Sequence, residues 1–460
     1  MHFDTNFISS VRSSEMEIHC LSVRIWQNHA DGLRLNGHGT IKQNKFGTLF
    51  LEMVCTETVY KPIGQLQPQL RFPQDHLNPE HKLFAELVDI SGKVWETQGF
   101  KLELSGFQLN TNKVIYTLLP YIASEEFREE SVDMPYLHLE FEQEIDIPFN
   151  KSNRTLSTAT GSESFGFNEL CFEVDGLDIR IVNESDYRFV KVKGDFVPED
   201  LERCIRFYLG FSCGVFLQPY ILFINVGNIN KCTIRSFNNQ ISHKRSTNPI
   251  PSDIHIPEGG NNYSINLFQR VLALYSEDIK YFDCVSSQWE RVWRGFNSSD
   301  DIAELVLSVA VEGVLNDIYI PDFKQSRQDQ QLIEAIKEIK LKLNELDIDV
   351  TYLSRLQSSV SYWKNITAAR ALDILIAEGV LADNDKKLWN SIRNTSAHPL
   401  SKELSNVEEQ KKRDDLYSCI DIFHKLILNV LAYSGPVTLF SSEDRQAVWL
   451  EHRLALSKSD

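Results

Sequence analysis

Residues Phe207 to Gly227, FYLGFSCGVFLQPYILFINVG, carry no charge over 21 positions, about the length of a membrane-spanning helix. The reading of this stretch decides the fold. Gln218 and Pro219 fall in its middle, and Ser212 and Asn225 dilute it. Proline lacks a backbone donor and clashes with the turn before it, so one continuous helix does not fit. The better reading is an amphipathic helix opening at Pro198-Glu199-Asp200, followed after Pro219 by a buried strand from Tyr220 to Asn225. That makes the chain α+β, with no membrane span.

Working outward, residues 1–148 are dominated by short runs rich in aromatic and β-branched residues: Glu17 to Trp26, Phe46 to Cys55, Lys82 to Val88, Lys93 to Thr97, Phe100 to Phe107, Lys113 to Leu119 and Tyr136 to Glu142. Asp89-Ile90-Ser91-Gly92 reads as a hairpin turn between two of them. Tyr136-Leu-His-Leu-Glu-Phe-Glu142 alternates apolar and polar residues, which predicts a half-buried strand. Residues 1–148 are therefore read as a β-rich N-terminal domain. The polar run from Asn150 to Gly161 is the linker candidate, residues 166–295 a small α+β middle module, and Arg235 to Ser264 a long surface loop.

From Ser299 the pattern turns helical. Ser299 with Asp300 and Asp301 caps a helix reaching Tyr319, and Leu332, Ile336, Ile339 and Leu343 mark a second. Tyr352 to Glu378 gives a third, broken near Asn365 and stopped at Gly379. A short helix begins at Asp383 or Asn384, and Leu416, Ile420, Phe423, Ile427 and Val430 stripe a long final one. Residues 299–440 thus form an all-α bundle, and residues 441–460 are expected to add a short terminal helix.

The 460 residues suggest about three domains. With 42% hydrophobic and 24% charged residues the composition is that of a globular protein. A net charge of −17 argues against coating nucleic acid by bulk electrostatics, though it leaves room for a local basic cleft. The eight cysteines include no Cys-x-x-Cys pair and no accompanying His pair at zinc-finger spacing, so they read as reduced thiols, with no metal. The first twenty residues lack a basic region followed by an apolar one, so no signal peptide is expected and the location is read as cytoplasmic. No cofactor motif is present.

Chemistry concentrates in Trp389-Asn-Ser-Ile-Arg393-Asn394-Thr-Ser-Ala-His398-Pro399. A permanent cation close to an imidazole is what a phosphodiester needs: the cation stabilises charge on phosphoryl oxygens, and the imidazole moves a proton. Spacing alone is weak, since five Arg–His pairs have four to six residues between them and about two are expected by chance. Only Arg393–His398 ends a capped helix of a bundle, and only there does Asn follow the Arg. A continuous helix would set the two about 140° apart. Pro399 disfavours helix at His398, which frees the imidazole to turn back. Read alone, Arg393 is equally a helix C-terminal cation and His398 a turn residue.

Residues 299–440 resemble a HEPN domain, a helical bundle whose ribonuclease members carry Arg, a polar residue, then His after four to six positions. Leu428-Asn-Val-Leu-Ala-Tyr433-Ser-Gly435 and Val311-Glu312-Gly313-Val314-Leu315 are similar to segments of ApeA-type abortive-infection proteins, which carry a β-rich region before the bundle. Asn36-Gly-His-Gly-Thr-Ile41 with Gly47-Thr-Leu-Phe-Leu51 is loosely similar to that region. The resemblance implies metal-independent RNA cleavage, in which the ribose 2′-OH attacks the adjacent phosphate to leave a 2′,3′-cyclic phosphate and a 5′-OH. It makes His398 the general acid or base, Arg393 the phosphorane stabiliser and Asn394 an orienting group. It also implies a homodimer through the bundle, an anti-phage role with tRNA as target, and a β-rich half that responds to a phage-derived trigger. The competing reading is a non-catalytic HEPN scaffold that dimerises a sensing or ligand-binding half.

Glu312 interrupts the apolar run Leu305 to Leu315. A carboxylate there needs a partner, and Arg393 or Arg370 would serve; such a pair would set the Arg rotamer. Lys386, Lys387, Lys402, Lys411, Lys412 and Arg413 are the RNA-contact candidates, although residues 301–460 hold 19 basic against 25 acidic side chains and such a cluster is also what a solvated helix face looks like. Trp289 and Trp293, at helical spacing, are read as core.

Overall fold

The computed structural model describes residues 5–29, 32–58, 78–102, 114–128, 134–151, 155–158, 161–164, 167–185, 187–238, 247–252, 262–327, 330–397, 405–442 and 444–456. The protein is multidomain and α+β. It divides into two compact units: Met1–Ile145 with Phe149–Leu201 and Leu217–Ser242, and Asp146–Pro148 with Glu202–Phe216 and His243–Asp460.

The first unit is built on one antiparallel sheet. Its strands are β1 (Glu17–Gln27), β2 (Arg34–Gln43), β3 (Leu49–Thr58), β4 (Leu83–Asp89), β5 (Val94–Phe100), β6 (Val114–Leu119), β7 (Tyr121–Phe127), β8 (Tyr136–Phe141), β11 (Glu169–Val174), β12 (Leu177–Asn183), β13 (Arg188–Lys193), β14 (Ile221–Val226) and β15 (Ile229–Arg235). The order is β11-β12-β13-β8-β14-β15-β7-β5-β4-β1-β2-β3-β6. Strand β8 lies between β13 and β14, so strands from both sides of residue 148 interleave and the separate middle module is corrected to part of this sheet. The supposed linker is also structured. Asn150 exchanges hydrogen bonds with the backbone of Cys171 in both directions, and β9 (Thr155–Thr158) pairs with β10 (Gly161–Ser164). The turn after β4 is as read: Asp89 accepts from the Ser91 and Lys93 amides and the Trp95 indole, with Gly92 at φ +86°.

Strand β8 is not half-buried. Five of its six residues are buried, because it is a central strand and both of its faces are covered. Its polar face carries a cluster that local spacing gave no sign of. Arg12, at the end of α1 (Thr5–Arg12), donates to both oxygens of Glu140 at 2.8 and 2.7 Å. His138 Nε2 donates to Glu140 at 2.7 Å, and the Tyr220 hydroxyl adds a bond of 3.3 Å. A carboxylate only accepts, so Nε2 carries the imidazole proton. Burial alone would raise the Glu140 pKa, but the hydrogen bonds from His138 and Arg12 outweigh it and hold the carboxyl at about 2. Burial pushes His138 down against the pull of Glu140, so the ring is neutral.

The 207–227 stretch divides as read, into helix α2 (Pro198–Cys213) and strand β14. No helix among the described residues is long and apolar enough to cross a membrane.

The second unit is helical: α3 (Tyr263–Glu277), α4 (Ile279–Phe296), α5 (Asp300–Val314), a π-helical turn (Leu315–Tyr319), α6 (Ile320–Ser326), α7 (Gln330–Asn344), α8 (Val350–Tyr362), α9 (Ala368–Ala377), α10 (Asp383–Ala397) and α11 (Asn406–Val430). Ser299 caps α5 through the Ile302 amide, and Ser405 and Glu408 form a capping box on α11. Helices α3 and α4 lie ahead of the expected bundle boundary yet belong to this unit. Trp289 of α4 is core, as read, and Trp293 is half-buried. Gly313 of α5 explains how closely α4 approaches, since a Cβ there would lie 2.4 Å from Gln288 Nε2. The predicted stripe of α11 is buried, but so are Asp421, His424 and Asn429, because the helix runs through the middle of the bundle.

Two expectations fail locally. Residues 441–456 hold no helix among those described; β16 (Gly435–Thr438) pairs with β17 (Ala447–Leu450) instead. The Asp421 carboxylate accepts the Phe440 and Ser441 amides at 2.8 and 3.0 Å, which spends backbone donors at the segment's start. In the expected surface loop Thr247, Pro249, Ile250 and Pro251 are buried, with the Pro249 carbonyl bonded to the Thr438 amide.

Because Glu140 titrates at about 2 in the fold against an ordinary 4.5, its stabilising share is complete above pH 4.5 and is lost as pH falls through the folded value. Urea melts should therefore show wild type losing more stability between pH 5 and 3 than Glu140→Gln. Glu140→Ala, which leaves Arg12 and His138 facing no anion, should cost about 3–5 kcal/mol at neutral pH.

Candidate active site

The site is set by how α10 lies on α5. Helix α10 turns Trp389 and Ile392 inward, 1% and 4% exposed. A buried indole N–H needs an acceptor, and Trp389 Nε1 finds the Ser308 carbonyl at 3.1 Å. One turn further along both helices, Arg393 meets Glu312. Arg393 Nε and Nη2 donate to the two carboxylate oxygens at 3.0 and 2.9 Å. The guanidinium carbon also sits 5.4 Å from the Trp389 ring centroid. Of the two partners expected for Glu312, Arg393 is the one found. Glu312 is half-buried at the rim rather than enclosed, its side chain 29% exposed and that of Arg393 48%.

A guanidinium has five N–H donors, and Glu312 engages two of them. The other three are open to an oxyanion without the ion pair having to break. Asn394 is exposed, and its side chain makes no hydrogen bond among the described residues. His398 lies outside the described residues, as does Lys402. The structure thus brings Arg393 and Glu312 together, leaves Asn394 on the adjoining surface, and gives no position for the imidazole.

The basic candidates are mostly neutralised within the chain. Lys386 bonds Asp373 at 2.6 Å, Lys412 reaches Asp301 and Glu304, and Arg413 bonds Asp300 at 3.3 Å. Lys387 and Lys411 are exposed without an ion pair among the described residues. Helix α5 also exposes Ile302, Leu305 and Val309, 46–49% accessible, at the three- and four-residue spacing that next reaches Glu312.

His424 was missed by the sequence reading. It is fully buried, touches the rings of Phe211, Phe423 and Phe440, and neither ring nitrogen has a partner. Burial pushes its pKa down to about 3, so it is a neutral core residue. An imidazole inside the apolar stripe of α11 was the available signal. Among the described residues no group of His, Cys, Asp and Glu is arranged to hold a metal ion.

No family model, curated protein or solved structure matches this chain.

The Arg393–Glu312 pair faces solvent, and pairs of that kind contribute about 1 kcal/mol or less. Glu312→Ala and Arg393→Ala should each shift the urea midpoint only slightly. Trp389→Ala should cost about 3–5 kcal/mol, because it empties the anchor below the pair.

Proposed function

We propose that the chain is a HEPN-type endoribonuclease: cytoplasmic, homodimeric through its helical unit, and cutting RNA, with tRNA as the expected target, in abortive-infection defence against phage. The reading is carried by one observation, the two-pronged hold of Glu312 on Arg393 at the solvent end of α10. It fixes a permanent cation with three spare donors five positions before His398. In the proposed reaction Arg393 takes the charge that develops on the phosphoryl oxygens. His398 moves the proton of the attacking 2′-OH or of the leaving 5′-oxygen, and Asn394 orients one of them. Glu312 is a positioning residue that holds the guanidinium in one rotamer. The apolar stripe Ile302, Leu305 and Val309, leading to Glu312, is a suitable seam for a second copy.

A specific observation favours the competing scaffold reading. Lys386, Lys412 and Arg413 are engaged by acidic partners, so the surface near α10 is not a strong polyanion track. The two readings part on chemistry.

Wild type, Arg393→Ala and His398→Ala are to be expressed in cells and RNA 5′-OH ends sequenced. Discrete cleavage sites with wild type, lost in both variants, are expected. Equal RNA profiles from all three with phage present would overturn the enzyme and leave the scaffold. Val309→Glu should convert a dimer to a monomer in light scattering; an unchanged mass would remove the α5 seam.

A further inference from the structure

One face of the sheet in the first unit carries four buried polar atoms that no protein group satisfies: Ser124 Oγ, Asn225 Oδ1, Asn230 Oδ1 and His138 Nδ1. Such atoms are few in native proteins, and each asks for a partner. Strand pairing places these four together. Ser124 lies opposite Cys232, Cys232 opposite Phe223, and Phe223 opposite His138. In the next row Asn230 lies between Glu126 and Asn225. Directly paired residues of antiparallel strands share a face, so the four line one patch across β7, β15, β14 and β8. Asn225 is 3% exposed and His138 6%.

The unmet demand has a chemical sense. The amide oxygens of Asn225 and Asn230 accept, and with the His138 proton committed to Glu140 the free Nδ1 accepts too. The patch therefore wants N–H or O–H donors. Beside it the structure holds a cavity of about 420 Å³, lined by Asn230, Cys232, Phe223, Trp95, Phe7 and Arg128, among others. That volume suits a small ligand. Phe7 and Trp95, their centroids 5.9 Å apart, give it an aromatic wall.

Charge at the cavity is largely spent internally. Lys93 pairs with Glu126 at 2.8 Å, Glu17 with Lys42 at 3.4 Å, and the Asp89 carboxylate is filled by Ser91, Lys93 and Trp95. Arg128 has no ion pair among the described residues. One open guanidinium among carboxylates favours a single anionic group over a chain of phosphates.

From these observations we propose that this cavity is a binding site for a nucleoside monophosphate. The flat base lies against Phe7 and Trp95 and gives its N–H donors to the Asn230 side of the patch, while the phosphate meets Arg128. The site stands in the sheet and is independent of the cleavage reading, so neither result below bears on RNA cutting.

The test is calorimetric titration of the full chain with AMP, GMP, CMP and UMP in turn. At least one is expected to bind, with ATP and ribose 5-phosphate each at least about tenfold weaker. Arg128→Ala should weaken the bound monophosphate at least about tenfold while leaving the corresponding nucleoside unchanged. Asn230→Leu should weaken nucleoside and monophosphate alike. No binding of any of the four at about 1 mM would overturn the proposal, as would ribose 5-phosphate binding as well as the nucleotide. If Arg128→Ala lowers the melting temperature, the wild-type comparison of AMP, ATP and ribose 5-phosphate decides alone.

Discussion

The helical unit's candidate chemistry depends on where one indole N–H finds its acceptor. Trp389 is enclosed, and leaving its donor unpaired would cost about 1–3 kcal/mol. The Ser308 carbonyl satisfies it only in one register of α10 against α5. That register then decides, one helical turn later, that Arg393 meets Glu312 and not a neighbouring residue. The position of the guanidinium is thus a consequence of core packing, while the guanidinium itself stays at the surface. Gly313 contributes from the other side, since its missing Cβ lets Gln288 of α4 close on α5.

Local signals made much of this unit legible. Ser299, Ser405 with Glu408, and Gly379 act through hydrogen bonds within a turn of themselves, so the residues announce their own roles. The same holds for Pro219 and for the Asp89–Gly92 turn. What stayed hidden depends on partners far along the chain. The alternation in β8 correctly marked a strand, but its polar residues face Arg12, 128 positions from Glu140, and not water. A period-two pattern distinguishes two faces without saying what covers each. The 148 boundary failed for the same reason, because sheet order is set by pairing between distant strands. The end of the chain shows the converse. Its helical spacing was real, but Asp421 from α11 captured the amides it would have used.

Electrostatics explain why the basic cluster near α10 was over-read. A chain with a net charge of −17 offers most surface cations a carboxylate within reach, and Lys386, Lys412 and Arg413 each take one. Cations counted along the sequence say nothing of how many remain unneutralised in the fold. Arg393 is paired as well, but differently. Its partner approaches along one edge of the planar group, and the other edge stays open.

That geometry bears on what Glu312 can do in a phosphate reaction. A carboxylate beside an incoming phosphodiester is repulsive, so the arrangement helps only if the two anions occupy different edges of the guanidinium. They can: Nε and one Nη2 proton face Glu312, which leaves both Nη1 protons and the second Nη2 proton for the phosphoryl oxygens. Held this way, Arg393 loses little rotamer freedom when substrate arrives, and the ordering cost is met in the folded protein rather than in the reaction. A lysine at this position would keep the charge but not the two edges, because an ammonium presents a point charge and no fork. The pairing with Glu312 therefore accounts for the choice of arginine at position 393 on structural grounds alone, and the same fork is what an in-line attack on a phosphodiester would use.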